Sequence, residues 1–199
     1  MFRTDCPLRH CILLAVVVCL GSVPHHTAAQ SAGHISVFSD SSASTCTLID
    51  AAPALFNVYI VHSDMANPWG IIGSRFKVVM GPGFTASYVS ELIVGQGHAG
   101  SVLTGITIAY DACSFGTLLL ATVSFQGYGT SSVCSYLDVG PDPAFGGDIP
   151  IAQDCFLDLH PVPSTGPLYV NPDVGQCQPG CLVAIQAMTW GGIKALYRD

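Results

Sequence analysis

Apolar and polar positions alternate through the middle of this chain. Residues 56–62 read FNVYIVH, with Phe56, Val58 and Ile60 on one face and Asn57, Tyr59 and Val61 on the other. That is the pattern of a strand packed on a core with its second face partly covered. Ile106, Ile108 and Tyr110 alternate with Thr107 and Ala109, and residues 118–125 set Leu119, Ala121, Val123 and Phe125 on one side of a central strand. Residues 34–38 predict a first strand and residues 75–79 a further one. The Thr and Val content supports extended backbone, because branched side chains fit a pleated surface better than a helix. Gly81-Pro82-Gly83, Gly95-Gln96-Gly97, Gly127-Tyr128-Gly129 and Gly146-Gly147 punctuate these runs at spacings typical of sandwiches and barrels. The expected fold is all-β, a single β-sandwich, with a β-barrel as nearest competitor. Residues 88–94 read as a turn, a short strand or a helical segment. Residues 189–197, TWGGIKALY, carry a small apolar stripe of Trp190, Ile193, Leu196 and Tyr197 that the paired glycines weaken as a helix.

The N-terminus adds a compartment. Arg3 and Arg9 precede CILLAVVVCL at residues 11–20, an apolar run long enough for a signal-peptide core and too short to span a bilayer as a helix. Thr27-Ala28-Ala29 supplies small residues before Gln30, so a signal peptide over 1–29 and one domain over 30–199 are expected. An uncleaved anchor is the alternative. Lipidation of Cys19 is disfavoured, because Val18 occupies a place that is normally small. Removing the leader discards Cys6, Cys11 and Cys19 and leaves Cys46, Cys113, Cys134, Cys155, Cys177 and Cys181. An even number of cysteines in an oxidising compartment implies disulfides, whose connectivity sequence alone does not choose. Cys177 and Cys181 flank a turn-like Gln-Pro-Gly and invite local closure. Cys134 and Cys155 bracket the VGPDPAFGGD loop, which leaves Cys46 with Cys113. Zinc held by Cys177 and Cys181 would need Cys134 and Cys155 to converge with them, and an exported chain favours disulfides.

Charge narrows the partners. The chain has 13 Asp and Glu against 6 Lys and Arg, a formal net charge of -7. Beyond the leader the basic residues are Arg75, Lys77, Lys194 and Arg198, a balance that repels nucleic acid and anionic membrane surfaces. No mature transmembrane segment is expected.

Candidate chemistry is sparse. His62-Ser63-Asp64 holds the residue types of a hydrolytic triad, but adjacent residues do not form that relay, and the three read as a strand end and turn. Tyr110-Asp111 reads the same way. His34, His62, His98 and His160 are too dispersed for a metal set. No G-x-S-x-G elbow, H-E-x-x-H helix or phosphate-binding glycine loop occurs. Asp138, Asp142 and Asp148 share a Gly/Pro-rich stretch that offers oxygen ligands for calcium without matching an EF-hand loop. Trp69, Phe84, Tyr88 and Tyr128 lie near turns and read either as an aromatic contact patch or as ordinary core-edge residues.

The chain resembles a loose group of uncharacterised secreted bacterial proteins of similar size. The resemblance is carried by FNVYIVH (56–62), SRFKV (74–78), IAYDAC (108–113), TLLLATVSFQGYGTSSVCSYLDVGPDP (117–143), GGDIPIAQDC (146–155), YVNPD (169–173) and TWGGIKALYR (189–198). These motifs describe a fold and carry no known chemistry. The Phe-rich strand before a loop and the LATVSF strand at 120–125 are also similar to cohesin-like and immunoglobulin-like sandwiches. That second resemblance implies a sandwich and, in the cohesin frame, protein–protein assembly, with no cohesin binding residue carried over. The reading is a secreted, non-catalytic module that binds a protein or glycan partner, without cofactor. The alternative is an extracellular hydrolase whose site assembles from distant residues. Intact mass of the exported protein, with and without reduction under alkylation, is expected to show a chain beginning at Gln30 with all six remaining cysteines oxidised.

Overall fold

The computed structural model describes residues 32–65 and 70–177. The expected signal peptide at 1–29, Trp69, Cys181 and the 189–197 segment lie outside these residues. In chain order the strands are β1 (His34–Phe38), β2 (Thr47–Leu48), β3 (Pro53–Met65), β4 (Ile71–Met80), β5 (Ser87–Ile93) and β6 (Gly97–Ser101). They continue with β7 (Gly105–Ser114), β8 (Gly116–Tyr128), β9 (Ser135–Gly140), β10 (Ile151–Asp154), β11 (Leu159–Pro161) and β12 (Leu168–Val170). No helix occurs among the described residues. A four-stranded sheet runs β1-β3-β8-β5, and an eight-stranded sheet runs β11-β10-β4-β9-β12-β2 with the β6–β7 hairpin joined to β4. All pairs are antiparallel except β12 with β2. The result is a β-sandwich of two sheets.

The core lies between the sheets. The smaller sheet contributes Ile35, Val37, Val58, Ile60, Val123 and Phe125, and the larger contributes Phe76, Val78, Ile106, Ile108, Leu137 and Leu168, all in one buried cluster. Each side chain of this size adds about 1.5–3 kcal/mol on burial. At one end Phe56 stacks on Phe125 with centroids 5.9 Å apart, while Phe84 and Tyr88 meet Phe125 edge-on at 5.4 and 6.3 Å.

Alternation fails at one residue. Leu119 does not share a face with Ala121, Val123 and Phe125. Ile60 pairs with Ala121 but Val61 pairs with Leu119, so Leu120 is an extra residue in β8. A one-residue bulge inverts the facing of everything beyond it. Leu118 and Leu120 therefore pack on the core, and Leu119 turns outward to join Tyr59, Val61, Phe38 and Ala43 in a second small cluster. This cluster is the partial cover predicted for the outer face of β3. Residues 88–94 resolve as strand β5, displaced by one residue. Glu91 takes the inward position opposite Val123, where its carboxylate accepts the Val102 N–H at 3.0 Å and the Ser101 hydroxyl at 3.2 Å. A helix would not have aimed it at the β6–β7 turn.

The disulfides follow strand pairing rather than sequence proximity. Cys113 bonds Cys155 and Cys134 bonds Cys177, with Cα–Cα distances of 5.8 Å in both. Cys46 is disulfide-bonded as well. The pairings Cys134 with Cys155, Cys46 with Cys113 and Cys177 with Cys181 are therefore corrected. Ile71, the first residue of β4, pairs with Ser114 on one edge and Asp154 on the other. The cysteines next to those two residues meet past the end of β4. Likewise Ser135 pairs with Val170, and the Cys134 N–H bonds the Asn171 carbonyl at 3.2 Å. The turn after Asn171 then returns Cys177 to Cys134.

Asn171 and Asp50 close the same end of the sandwich. The Asp50 carboxylate accepts the Gly129 and Ser131 N–H groups, and the Asn171 amide donates to the Asp50 and Ser131 carbonyls. A non-reduced peptide map is expected to show the Cys113–Cys155 and Cys134–Cys177 links. Replacing both Cys113 and Cys155 with Ala should lower stability to denaturant by about 2–4 kcal/mol.

Candidate functional site

The outer face of β4 is set by its core face. Ser74, Phe76 and Val78 turn inward, so Gly73, Arg75 and Lys77 turn outward. On one edge β7 sends Ile106 and Ile108 to the core and pairs Thr107 with Arg75 and Ala109 with Gly73. On the other edge β10 pairs Ile151 with Arg75 and Gln153 with Gly73. β4 and β7 thus lay Gly73, Thr107 and Ala109 side by side, with the longer Ile151 and Gln153 of β10 alongside. Gly73 is required there, since a Cβ would stand 2.9 Å from the Ile108 carbonyl oxygen. The result is a hollow floored by Gly73, Thr107 and Ala109 and walled by Ile72, Arg75, Ile151, Gln153 and Leu159. About 80 Å³ lies open within it. Small-molecule pockets typically offer about 300–1,000 Å³, so the hollow suits one inserted side chain.

Exposed apolar side chains stand in and beside the hollow. Leu159 is 58% and Phe145 54% solvent-accessible, and Leu157 stands out from the β10–β11 turn nearby. The Arg75 guanidinium carbon lies 3.8 Å from the Phe145 ring centroid, a cation–π contact that holds the side chain over one face of the ring. The Cys113–Cys155 bridge ties β7 to the β10–β11 turn and so braces both walls.

The sequence-predicted residues fall elsewhere. His62, Ser63 and Asp64 do not end a strand, because β3 continues through them to Met65. His62 shares the inward phase of Ile60 and is fully buried. Its Nε2 donates to the Ala32 carbonyl at 2.8 Å, so Nδ1 accepts the Tyr110 hydroxyl, also at 2.8 Å. Burial pushes the His62 pKa down to about 4, with a lesser contribution from His34, against the Ala32 hydrogen bond. Burial also raises the Tyr110 hydroxyl well above its ordinary value. Tyr110-Asp111 likewise lies within β7 rather than in a turn, with Tyr110 inward and Asp111 exposed.

His160 meets Asp154 at 2.9 Å across the β10–β11 turn. Burial acts to raise the Asp154 pKa, but the His160 contact and the Asp158 and Phe156 N–H groups outweigh it and hold the carboxylate below its ordinary range. Among the described residues no hydroxyl or thiol is bonded to this pair. Asp138 accepts the Ser164 hydroxyl and the Val139 N–H, Asp142 accepts the Ala144 N–H, and Asp148 is exposed. No three His, Cys, Asp or Glu among the described residues are placed to hold a metal. Phe84 and Tyr88 pack on the core edge, and Tyr128 bonds Ser87 through its hydroxyl. The aromatic residue beside the hollow, Phe145, lies against Arg75 in the PDPAFGGD segment, whose aspartates and flanking cysteines were its conspicuous features in sequence. Its signal was an unpaired Phe among turn residues.

No family model matches the chain, and no curated protein matches it. Among solved structures it has a weak structural similarity to cohesin modules. The sixth cohesin of scaffoldin B from Acetivibrio cellulolyticus, solved in complex with a Cel5 dockerin mutant, is 16% identical, with 70% of this chain and 98% of that one covered and a TM-score of 0.47. A cohesin module of a Clostridium perfringens family 33 glycoside hydrolase is 9% identical over 71% of this chain and 98% of that one, TM-score 0.42. The seventh ScaB type I cohesin from Pseudobacteroides cellulosolvens is 11% identical over 66% of this chain and 92% of that one, TM-score 0.39.

The buried histidine has a defined pH signature. Well above pH 6.5 it is neutral in both folded and unfolded chains and adds no pH dependence. Below that, the unfolded chain takes up a proton that the folded one refuses until about pH 4. Its contribution should therefore fall as pH drops from 6.5 to about 4, by about 3 kcal/mol in all. Denaturant titrations across this window should show that slope in the native protein and lose it in His62→Gln.

Proposed function

We propose that this chain is a non-catalytic binding module that acts outside the cell and holds a protein partner against the outer face of β10, β4 and β7. The observation that carries the reading is the hollow over Gly73, Thr107 and Ala109, with Leu159 exposed in its lining and Phe145 exposed against Arg75. A mainly apolar hollow whose lining also holds Thr107, Gln153 and Arg75 is suited to a protein interface, where one anchoring side chain is desolvated among polar neighbours. The disulfide-braced strands support it further, because a preformed face loses little conformational freedom on binding. Disulfides persist outside the reducing cytosol, which supports an extracellular site of action. The described residues hold no helix long and apolar enough to cross a membrane.

A protein fits better than a glycan. Sugar rings stack on open aromatic faces, and Arg75 already covers one face of Phe145. The hydrolase alternative has the Asp154–His160 pair, whose carboxylate is already committed to two backbone N–H groups of its own turn.

Thr107→Trp fills the hollow from an outward-facing strand position, and Ser90→Trp places the same bulk on the outer face of the smaller sheet. Immobilised native protein and both variants, matched for fold by circular dichroism, would be exposed to the secreted and cell-surface proteins of the source organism. Thr107→Trp is expected to lose the retained partner by about tenfold or more, and Ser90→Trp to keep it. The opposite pattern would move the docking face to the smaller sheet.

A further inference from the structure

Arg75 and Lys77 are the only Lys or Arg among the described residues. The full chain carries a formal net charge of -7. Both cations stand on the outward face of one strand, two residues apart, beside the hollow at Gly73. Along a strand that spacing is about 6.8 Å. Neither is ion-paired with a carboxylate within the described residues, where the sole ion pair is His160 with Asp154. Asp138 shares the outer face from β9, opposite Val79, but its Oδ1 takes both the Ser164 hydroxyl and the Val139 N–H. Phe145 fixes the Arg75 side chain without neutralising its charge. Among the described residues the Lys and Arg charge of an acidic chain therefore lies at one place, half-buried and held ready.

We propose that the partner presents an extended acidic segment, with an aliphatic side chain entering the hollow and two carboxylates at alternate positions meeting Arg75 and Lys77. This rests on the reading of the outer face as a docking face and specifies the chemistry of what docks. In an extended chain, side chains two residues apart point the same way at the spacing of Gly73, Arg75 and Lys77 on β4. The match is therefore one of register as well as sign. The other described residues carry acidic charge without Lys or Arg and repel such a segment, which orients the encounter. A sulfated or uronic glycan would satisfy the cations and leave the apolar hollow unfilled.

The test titrates isotopically labelled native protein with a synthetic peptide carrying leucine, aspartate and glutamate at alternate positions. Its controls are the same peptide with asparagine and glutamine for the acids, and a heparin oligosaccharide. The acidic peptide is expected to shift the amide resonances of Gly73, Thr107 and Ala109. It should bind at least about tenfold more tightly than the neutral one and weaken as salt rises. Arg75→Gln with Lys77→Gln, both outward-facing and checked by thermal melting, should bring the two peptides to equal affinity. Failure of the acidic peptide to bind, equal affinity for the two peptides in the native protein, or tighter binding of heparin would overturn the acidic-segment assignment. If Thr107→Trp still abolishes binding of equally tight peptides, the docking face stands and only the acidic chemistry falls. Shifts confined to the smaller sheet would overturn both.

Discussion

Pairing on both edges of β4 is the constraint from which most of this molecule follows. Along residues 71–76 the strand is hydrogen-bonded to β7 on one side and β10 on the other, and along 77–80 to β9. Its inward residues Phe76 and Val78 anchor the larger sheet to the common core. Its outward residues inherit their positions without choice. The close approach of β7 is what forbids a side chain at residue 73, where a Cβ would press on the Ile108 carbonyl. The same glycine that permits the pairing therefore leaves the hollow open. Strand pairing and the open space above it are settled at one position by one steric fact.

How much of this was legible in the sequence depends on the range of the interaction. Local alternation located β1 and the inward row Ile106, Ile108 and Tyr110, since the period of a strand is written in its own residues. It misplaced Leu119, because the bulge at Leu120 exists only in register with β3. Proximity along the chain misled the cysteine pairing, since Cys113 and Cys155 are neighbours only through their common partner strand. His62 looked like a strand end beside a turn, yet β3 runs past it and the ring belongs to the core. The hollow was the least legible feature of all. Gly73, Thr107 and Ala109 are unremarkable in sequence and acquire meaning only side by side.

Buried polar groups mark where the fold spends hydrogen bonds on uniqueness. His62 joins β3, Tyr110 of β7 and the Ala32 carbonyl, so both sheets and the start of the described chain meet at one imidazole. Gly33 completes this junction at φ +94°, where a Cβ would lie 2.2 Å from the Ser63 carbonyl oxygen. Glu91 and Asp50 act similarly at the β6–β7 turn and at the opposite loops. Each makes contacts that a shifted register would break, which ties local polar chemistry to global pairing.

The placement of Lys77 reaches into how the protein can be handled. The chain has only two lysines, Lys77 and Lys194. Lys77 therefore offers one of the chain's two lysine amines to amine-reactive dyes, crosslinkers and sensor-chip chemistries from the outer face of β4. A protein tethered by that amine would have the proposed docking face turned against the support, and a missing partner would then be an artefact of attachment. Site-directed tethering from the smaller sheet keeps the face turned toward solution.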